Sequence, residues 1–259
     1  QGLVHYEVDG SGPPVILIHG WLGSWDTWRS TIEAFSDRYR LYAPDLWGFG
    51  ESDKKRRERF EVSDFIQLIP QFMDHLGIAK APIVGHSMGG TTALGVALNH
   101  PEYVRKVAVV GSPINGKSLS LLLKLAGNKL IAQVVLAGGD DIPLFRTGMR
   151  LYSPFVSRPQ PKMFYEMTVA NTARLTMSSF FSSIDSLRLT NLTPRLHEIK
   201  VPAMGVYGGR DVIVNPNQHK VFGRHIPHGK VVYIRNAGHF VMWDTPEPFN
   251  KALDEFLAT

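Results

Sequence analysis

Ala81-Pro82-Ile83-Val84-Gly85-His86-Ser87-Met88-Gly89-Gly90-Thr91-Thr92 is the stretch whose reading decides the fold. An apolar run, Ala81 to Val84, turns through small residues straight into a helix-prone segment that continues to Asn99. A buried strand that turns so tightly into a helix lifts the middle side chain, Ser87, out of the turn. Gly85 and Gly89 suit that turn, because a Cβ at either place meets the adjoining strand or helix. Ser87 is therefore the candidate nucleophile. G-x-S-x-G alone is also compatible with an ordinary strand-to-helix turn, so the partners elsewhere in the chain decide its meaning.

Outward from this stretch the chain alternates strand and helix signals. On its N-terminal side, Leu3 to Val8 alternates weakly ahead of the turn signal Asp9-Gly10-Ser11-Gly12-Pro13-Pro14 and reads as one arm of an edge hairpin. Val15 to Ile18 has the unbroken apolar run of a strand buried on both faces, and His19-Gly20-Trp21-Leu22-Gly23 ends it. Ser24 is placed to cap a helix reaching about Asp37, Leu41 to Ala43 is a short strand closed by Pro44, and Val62 to Leu76 is an amphipathic helix with a kink expected at Pro70. Asp45-Leu46-Trp47-Gly48-Phe49-Gly50-Glu51-Ser52 lacks both common phosphate-loop patterns and reads as turn chemistry, with Asp45 and Ser52 as turn formers.

On the C-terminal side, Val104 to Val110 is another buried strand. Over residues 112–197 the strand signal vanishes in favour of helical patterns punctuated by Pro143, Pro154, Pro159 and Pro161. This segment holds Met149, Met163, Met167 and Met177, residues of adaptable surfaces that equally serve an ordinary helical core. It also carries ten Lys and Arg against Asp140, Asp141, Glu166 and Asp185. Strand and helix alternation resumes at Ala203 to Tyr207, with Gly208-Gly209-Arg210-Asp211 after it. A helix near Asn217 to His225, the strand Val231 to Ile234, Asn236-Ala237-Gly238-His239 and a helix from Pro246 to Leu257 complete the chain. The pattern predicts an α/β fold: a mostly parallel, doubly wound sheet over residues 1–111 and 198–259, with residues 112–197 inserted as a helical cap over one end. Ligands of such sheets bind at the carboxyl ends of the strands, where Ser87, the 19–23 loop, Asp211 and His239 all fall.

A serine hydroxyl needs a base within hydrogen-bond reach, and the base needs an acid to fix its tautomer. Of ten histidines, His239 directly follows a late strand behind Gly238, and Asp211 likewise follows a strand. The order Ser87, Asp211, His239 is that of the nucleophile-elbow hydrolases. With that order the sequence resembles the α/β-hydrolase superfamily over essentially its whole length. The resemblance rests on His19-Gly20-Trp21, Asp45-x-x-Gly48-x-Gly50-x-Ser52, Gly85-x-Ser87-x-Gly89, Gly208-x-x-Asp211, and Gly238-His239 followed by Glu247 and Pro248.

The resemblance implies a cofactor-free serine hydrolase of the carboxylesterase or small-lipase kind. Ser87 attacks, His239 acts as base and then acid, Asp211 orients it, and the backbone N–H groups of Met88 and Trp21 hold the oxyanion. A single Gly before Trp21 separates the chain from the H-G-G-G lipases. Aspartate in place of Ser87 would point to a dehalogenase or epoxide hydrolase. Carbon–carbon bond hydrolases of ring-cleavage dienoic acids share the fold and triad but resemble one another in an Asn before the serine and a Trp after the catalytic histidine, where this chain has His86 and Phe240. The basic residues of 112–197 keep that alternative open, since an acid substrate wants a positive partner. Lactone hydrolysis is a third chemistry of the same machinery, and a ligand-binding receptor on the hydrolase scaffold is the alternative from another class.

Other features carry less. Over its 259 residues the chain has 44% hydrophobic and 20% charged residues, as in an ordinary globular protein, and a formal charge of +5. The run Lys54 to Arg59 lacks interleaved aromatics and reads as a solvated loop rather than a nucleic-acid site. The absence of cysteine excludes disulfides, thiol catalysis and Cys-ligated metals. No apolar run approaches the ~20 residues that span a bilayer, and Leu119 to Ala137 reads as amphipathic helix. The expected partner is a small-molecule ester, with no nucleic acid and no stable membrane insertion. No signal-like segment is present, so a cytoplasmic monomer or homodimer is expected. His19 and His86 read as braces of the backbone, and His219, His225 and His228 as a solvated helix end rather than a metal site. Trp25, Trp28 and Trp47 fit either a pocket lining or the core.

Overall fold

The structure is a computed structural model and describes residues 2–54, 60–126 and 143–259. A seven-stranded sheet forms its centre, built from β1 (Tyr6–Asp9), β2 (Pro14–Ile18), β3 (Arg40–Pro44), β4 (Ala81–His86), β5 (Val104–Val110), β6 (Ala203–Gly208) and β7 (Lys230–Ile234) in the order β1-β3-β2-β4-β5-β6-β7. All neighbouring pairs are parallel except β1 with β3. The expected edge hairpin is thus replaced by a different pairing: β1 lies antiparallel to β3, and β2 sits between β3 and β4. The physical reason is burial. β2 is apolar on both sides and belongs inside the sheet, whereas every residue of β1 is exposed.

Alternate side chains of β2 enter opposite cores. Ile16 and Ile18 join Phe49, Phe65 and Phe72 on one side, while Val15 and Leu17 join Trp28, Phe35 and Phe249 on the other. Helix α1 (Arg29–Phe35) and the C-terminal helices α9 (Val241–Asp244) and α10 (Pro246–Ala258) line the second core; α2 (Val62–His75) and α3 (Met88–Asn99) line the first. α2 continues through Pro70. Trp28 and Trp47 are core residues, and half-buried Trp25 carries the Arg29 guanidinium 4.7 Å over its ring.

The helix expected from Ser24 begins as a 3-10 turn, Trp25–Trp28, before α1, and Ser24 makes no side-chain cap. Asp45 does so from the next loop: Oδ1 accepts the Trp25 N–H at 2.7 Å, and Oδ2 accepts the Glu51 N–H at 2.9 Å. Between β5 and β6 lie α4 (Leu121–Ala126), α5 (Pro143–Val156), α6 (Pro161–Thr172), α7 (Met177–Leu189) and the 3-10 turn Thr193–Glu198. Most of the helix expected from Leu119 to Ala137 lies outside the described residues, as do Lys55 to Arg59 of the basic run. Lys54 donates to the carbonyls of Gly50 and Ser52. Pro154 does not separate helices but lies in the last turn of α5, where the Ser153 hydroxyl donates to the Arg150 carbonyl, the acceptor a residue at 154 with an N–H would have used. α8 (Gln218–His225) joins β6 to β7. Among the described residues no helix is long and apolar enough to cross a membrane.

Candidate active site

The turn between β4 and α3 is drawn tight by direct backbone packing. A Cβ at Gly85 would overlap the Gly89 carbonyl, and one at Gly89 would overlap the carbonyls of Ile18 and His19 at the end of β2. Ser87 at the apex has φ 52° and ψ −120°, and its N–H donates to the Val110 carbonyl at 2.8 Å. Among the described residues, Ser87 and Leu22 (φ 58°) are the two non-glycine residues with positive φ. Such backbone costs about 1–3 kcal/mol and persists only where the surroundings impose it. The loop that carries Leu22 packs against the elbow, since a Cβ at Gly20 would lie 2.9 Å from the Ser87 Cβ.

The loop after β2 is held by several bonds. The Gly23 N–H donates to the Gly20 carbonyl at 3.0 Å, and the Asn171 amide of α6 donates to the Leu22 carbonyl at 3.2 Å. His19 Nε2 accepts the Leu46 N–H at 3.0 Å, so its proton sits on Nδ1 and points at the Gly20 carbonyl, 2.8 Å away. Burial lowers the pKa of His19, consistent with that neutral tautomer. The Trp21 indole donates to the Phe180 carbonyl of α7 at 3.3 Å, and the two rings lie 4.8 Å apart. Met88 is the first residue of α3; behind it the N–H groups of Gly90 and Thr91 donate to the Ser87 carbonyl at 2.9 and 3.1 Å, whereas an N–H at the very start of a helix has no carbonyl one turn back to take it. The backbone N–H groups of Trp21 and Met88 thus belong to the two tightly held turns that meet at Ser87.

Asp211 and His239, expected from the sequence as a pair, are in contact: Nδ1 of His239 and Oδ2 of Asp211 are 2.8 Å apart, with both side chains nearly fully buried. The other Asp211 oxygen accepts the N–H groups of Ile213 and Val214, each at 2.8 Å. The carboxylate is therefore aimed by its own loop. It commits the His239 proton to Nδ1, which leaves Nε2 free to take another.

His86, beside Ser87, packs in tilted contact with the His239 ring at 4.7 Å and with Phe240 at 4.5 Å, and its Nε2 donates to the His239 carbonyl at 3.2 Å. Burial and the nearby His239 hold the His86 pKa well below the usual range. His19 and His86 are braces, as expected. His219, His225 and His228 bond separately to the carbonyls of Pro216, Val221 and Val201, and no group of metal-binding side chains occurs among the described residues.

Apolar side chains of α6 and α7 press on the same loops. Leu22, Phe180 and Phe181 form a small cluster with Trp21 and Leu175. Phe164 of α6 lies 5.4 Å from Phe240, and Met167 accepts the Thr27 hydroxyl at 3.7 Å. Of the four methionines, Met167 and Met149 pack on the core while Met163 and Met177 are exposed. The basic residues of α5 to α7, Arg146, Arg150, Arg158, Lys162, Arg174 and Arg188, are all exposed. Tyr152 of α5 is half-buried, and burial together with the Asp211 charge pushes its pKa up to about 12, so the phenol keeps its proton. Tyr152, Asn171 and Phe180 were not legible as site residues, because each reaches the site only through the packing of the helices between β5 and β6.

A mostly parallel sheet with a serine on a strained elbow and an aspartate–histidine pair at the same edge defines a hydrolase of the nucleophile-elbow class. A model of the α/β-hydrolase fold matches residues 13–246, and the chain belongs to that family. It is 28% identical over 266 residues to a 2-hydroxy-6-oxo-6-phenylhexa-2,4-dienoate hydrolase from Burkholderia cepacia, covering 98% of this chain and 91% of the relative. An esterase from Exiguobacterium antarcticum shares the fold with a TM-score of 0.84 at 18% identity, over 100% of this chain and 96% of that one. An enol-lactonase from Burkholderia xenovorans does so with a TM-score of 0.78 at 20% identity, over 100% and 97%.

Proposed function

We propose that this hydrolase cleaves carboxylic esters of small to medium, largely apolar substrates through an acyl-enzyme on Ser87. The observation that carries the reading is the buried Asp211–His239 pair at the edge that presents Ser87 on its elbow. Ser87 Oγ attacks the ester carbonyl as His239 Nε2 takes its proton; the C–O bond breaks, and the alcohol leaves with that proton. Water, deprotonated by the same nitrogen, then releases the acid and restores Ser87. The N–H groups of Trp21 and Met88 meet the oxyanion, each donor lowering the barrier by about 3–4 kcal/mol. The helices of 112–197 act as a lid whose apolar wall, Trp21 with Phe180 and Phe164 with Phe240, favours an apolar acyl or alcohol group.

A second reading, carbon–carbon bond hydrolysis of a ring-cleavage dienoate, is favoured by the Burkholderia cepacia relative. Two observations support the ester over it. His86 and Phe240 occupy the places where those enzymes resemble one another in Asn and Trp, and here the two rings pack on each other. The basic residues of α5 to α7 face solvent, which weakens the case for an acid substrate. A lactone is an internal ester and falls under the first reading. The test is a panel of p-nitrophenyl esters of increasing chain length beside a ring-cleavage dienoate, on wild type and Ser87→Ala. Ester turnover that Ser87→Ala abolishes is expected; turnover of the dienoate alone sinks the ester reading. Stoichiometric labelling by a fluorophosphonate with no turnover of any substrate would point to the receptor alternative.

A further inference from the structure

A second carboxylate sits beside the His239 loop, and the proposed chemistry leaves it unused. Asp244, the last residue of α9, is half-buried and uses both oxygens: Oδ2 accepts the Gly238 N–H at 2.6 Å, and Oδ1 accepts the Ser157 hydroxyl at 2.5 Å. Gly238 directly precedes His239. Ser157 directly follows α5 and is fully buried, and its oxygen also accepts the Gln160 N–H at 3.3 Å ahead of α6. Asp244 therefore bridges the backbone of the histidine loop and the joint between two helices of the insertion.

The two parts touch as well as bond. A Cβ at Gly238 would lie 2.5 Å from the Val156 carbonyl, so the end of α5 rests on the loop at a distance only glycine allows. Next to Asp244, Trp243 stacks on Phe240 at 4.1 Å, and its indole donates to the Thr27 carbonyl at 3.1 Å. Phe240 in turn meets Phe164 of α6. The residues on either side of His239 are thus both held by the same short helix and the same inserted segment. Neither Asp244 nor Ser157 touches the reacting atoms.

We propose that Asp244 is a positioning residue that ties the Gly238 N–H to the Ser157 hydroxyl, so that the placement of the inserted helices sets the placement of the His239 base. The proposal rests on the reading of His239 as base. Burial raises the Asp244 pKa, opposed by its bonds to Ser157 and Gly238 and by the nearby His239, and Asp211 adds to the rise. The tie itself is geometric and holds for any group with the same acceptors.

The test compares Asp244→Ala, Asp244→Asn and Ser157→Ala by three readouts: amide hydrogen exchange at Gly238, the rate of Ser87 labelling by a fluorophosphonate, and kcat and KM on acetyl and octanoyl p-nitrophenyl esters. With Asp244→Ala, Gly238 exchange should rise about tenfold or more as a charged hydrogen bond is lost. Labelling and kcat on the acetyl ester should fall together by on the order of 10² while KM changes little, as for misplacement of a base. Asp244→Asn retains both ties, because the Ser157 hydroxyl can turn to accept from the amide, and should restore most of the loss. Ser157→Ala should leave Gly238 protected and raise KM for the octanoyl ester severalfold. Unchanged Gly238 exchange in Asp244→Ala overturns the tie, and faster exchange with unchanged labelling overturns its link to the base. Should Asp244→Ala fail to fold, Asn and Ser157→Ala decide: an Asn variant that labels on the order of 10² more slowly than wild type, or an unmoved KM in Ser157→Ala, counts against the proposal. Failure of wild type to label at Ser87 overturns the serine-hydrolase reading instead, and the exchange data still report on the tie.

Discussion

Replacing Asp211 with asparagine separates the chemistry of the site from its architecture. In the native protein one carboxylate oxygen accepts two backbone N–H groups and the other faces the His239 ring. The asparagine carbonyl can keep both backbone bonds, but its amide then presents N–H groups to His239 Nδ1. That nitrogen becomes the acceptor and the proton moves to Nε2, the atom that receives one from Ser87 in the proposed mechanism. The wrong tautomer lowers kcat by about 10⁴, or roughly 5.4 kcal/mol at 1.36 kcal/mol per decade. Stability should hardly change. Asp211→Ala leaves the N–H groups of Ile213 and Val214 unpaired; at about 1–3 kcal/mol each, the loss is roughly 2–6 kcal/mol. For a chain of this size that is a drop in Tm of at least about 4 °C. The assay is steady-state hydrolysis of a p-nitrophenyl ester beside thermal melts of the two variants. If Asp211→Asn retains more than about a tenth of kcat, or if alanine melts with asparagine, the assignment of the two oxygens is wrong.

Other perturbations probe the frame. The pKa values of His19 and His86 are lowered by burial, so below their ordinary value of 6.5 the unfolded chain takes up protons that the native state refuses. Their contribution is complete above that pH and is lost as pH falls, by up to about 1.4 kcal/mol per pH unit for each histidine. Melting curves from pH 7 to 5 should therefore slope less steeply in His86→Gln than in wild type, and parallel curves would count against a neutral buried His86. Lys106, buried in β5, donates to the carbonyls of Phe256 and Leu257 at the end of α10 and to the Thr259 hydroxyl. Lys106→Met should lower stability by about 1–3 kcal/mol in urea unfolding, with activity retained. Gly89→Ala, which drives a methyl into the carbonyls of Ile18 and His19, should cost about 1–3 kcal/mol and slow Ser87 labelling, because the elbow and the Trp21 loop are pushed apart.

Much of this protein is written locally. Val15 to Ile18 and Ala81 to Val84 are apolar on both faces, which places them inside a parallel sheet wherever the rest of the chain goes. Gly85, Ser87 and Gly89 describe the elbow because its geometry is a matter of steric room over a few residues. Asp211 and His239 were recognisable because each lies in the loop just past a strand, and parallel strands bring all such loops to one edge.

What only the tertiary structure decided are contacts between residues far apart in the chain. Asp45 rather than Ser24 supplies the acceptor at Trp25, β1 pairs with β3 rather than β2, and the basic residues of α5 to α7 face solvent. Asn171 reaches Leu22 across 149 residues and Ser157 reaches Asp244 across 87. Hydrophobic period and turn chemistry act over a few residues and encode where strands and helices begin. A hydrogen bond between two loops depends on how those elements come to rest against one another, and no local pattern carries that distance.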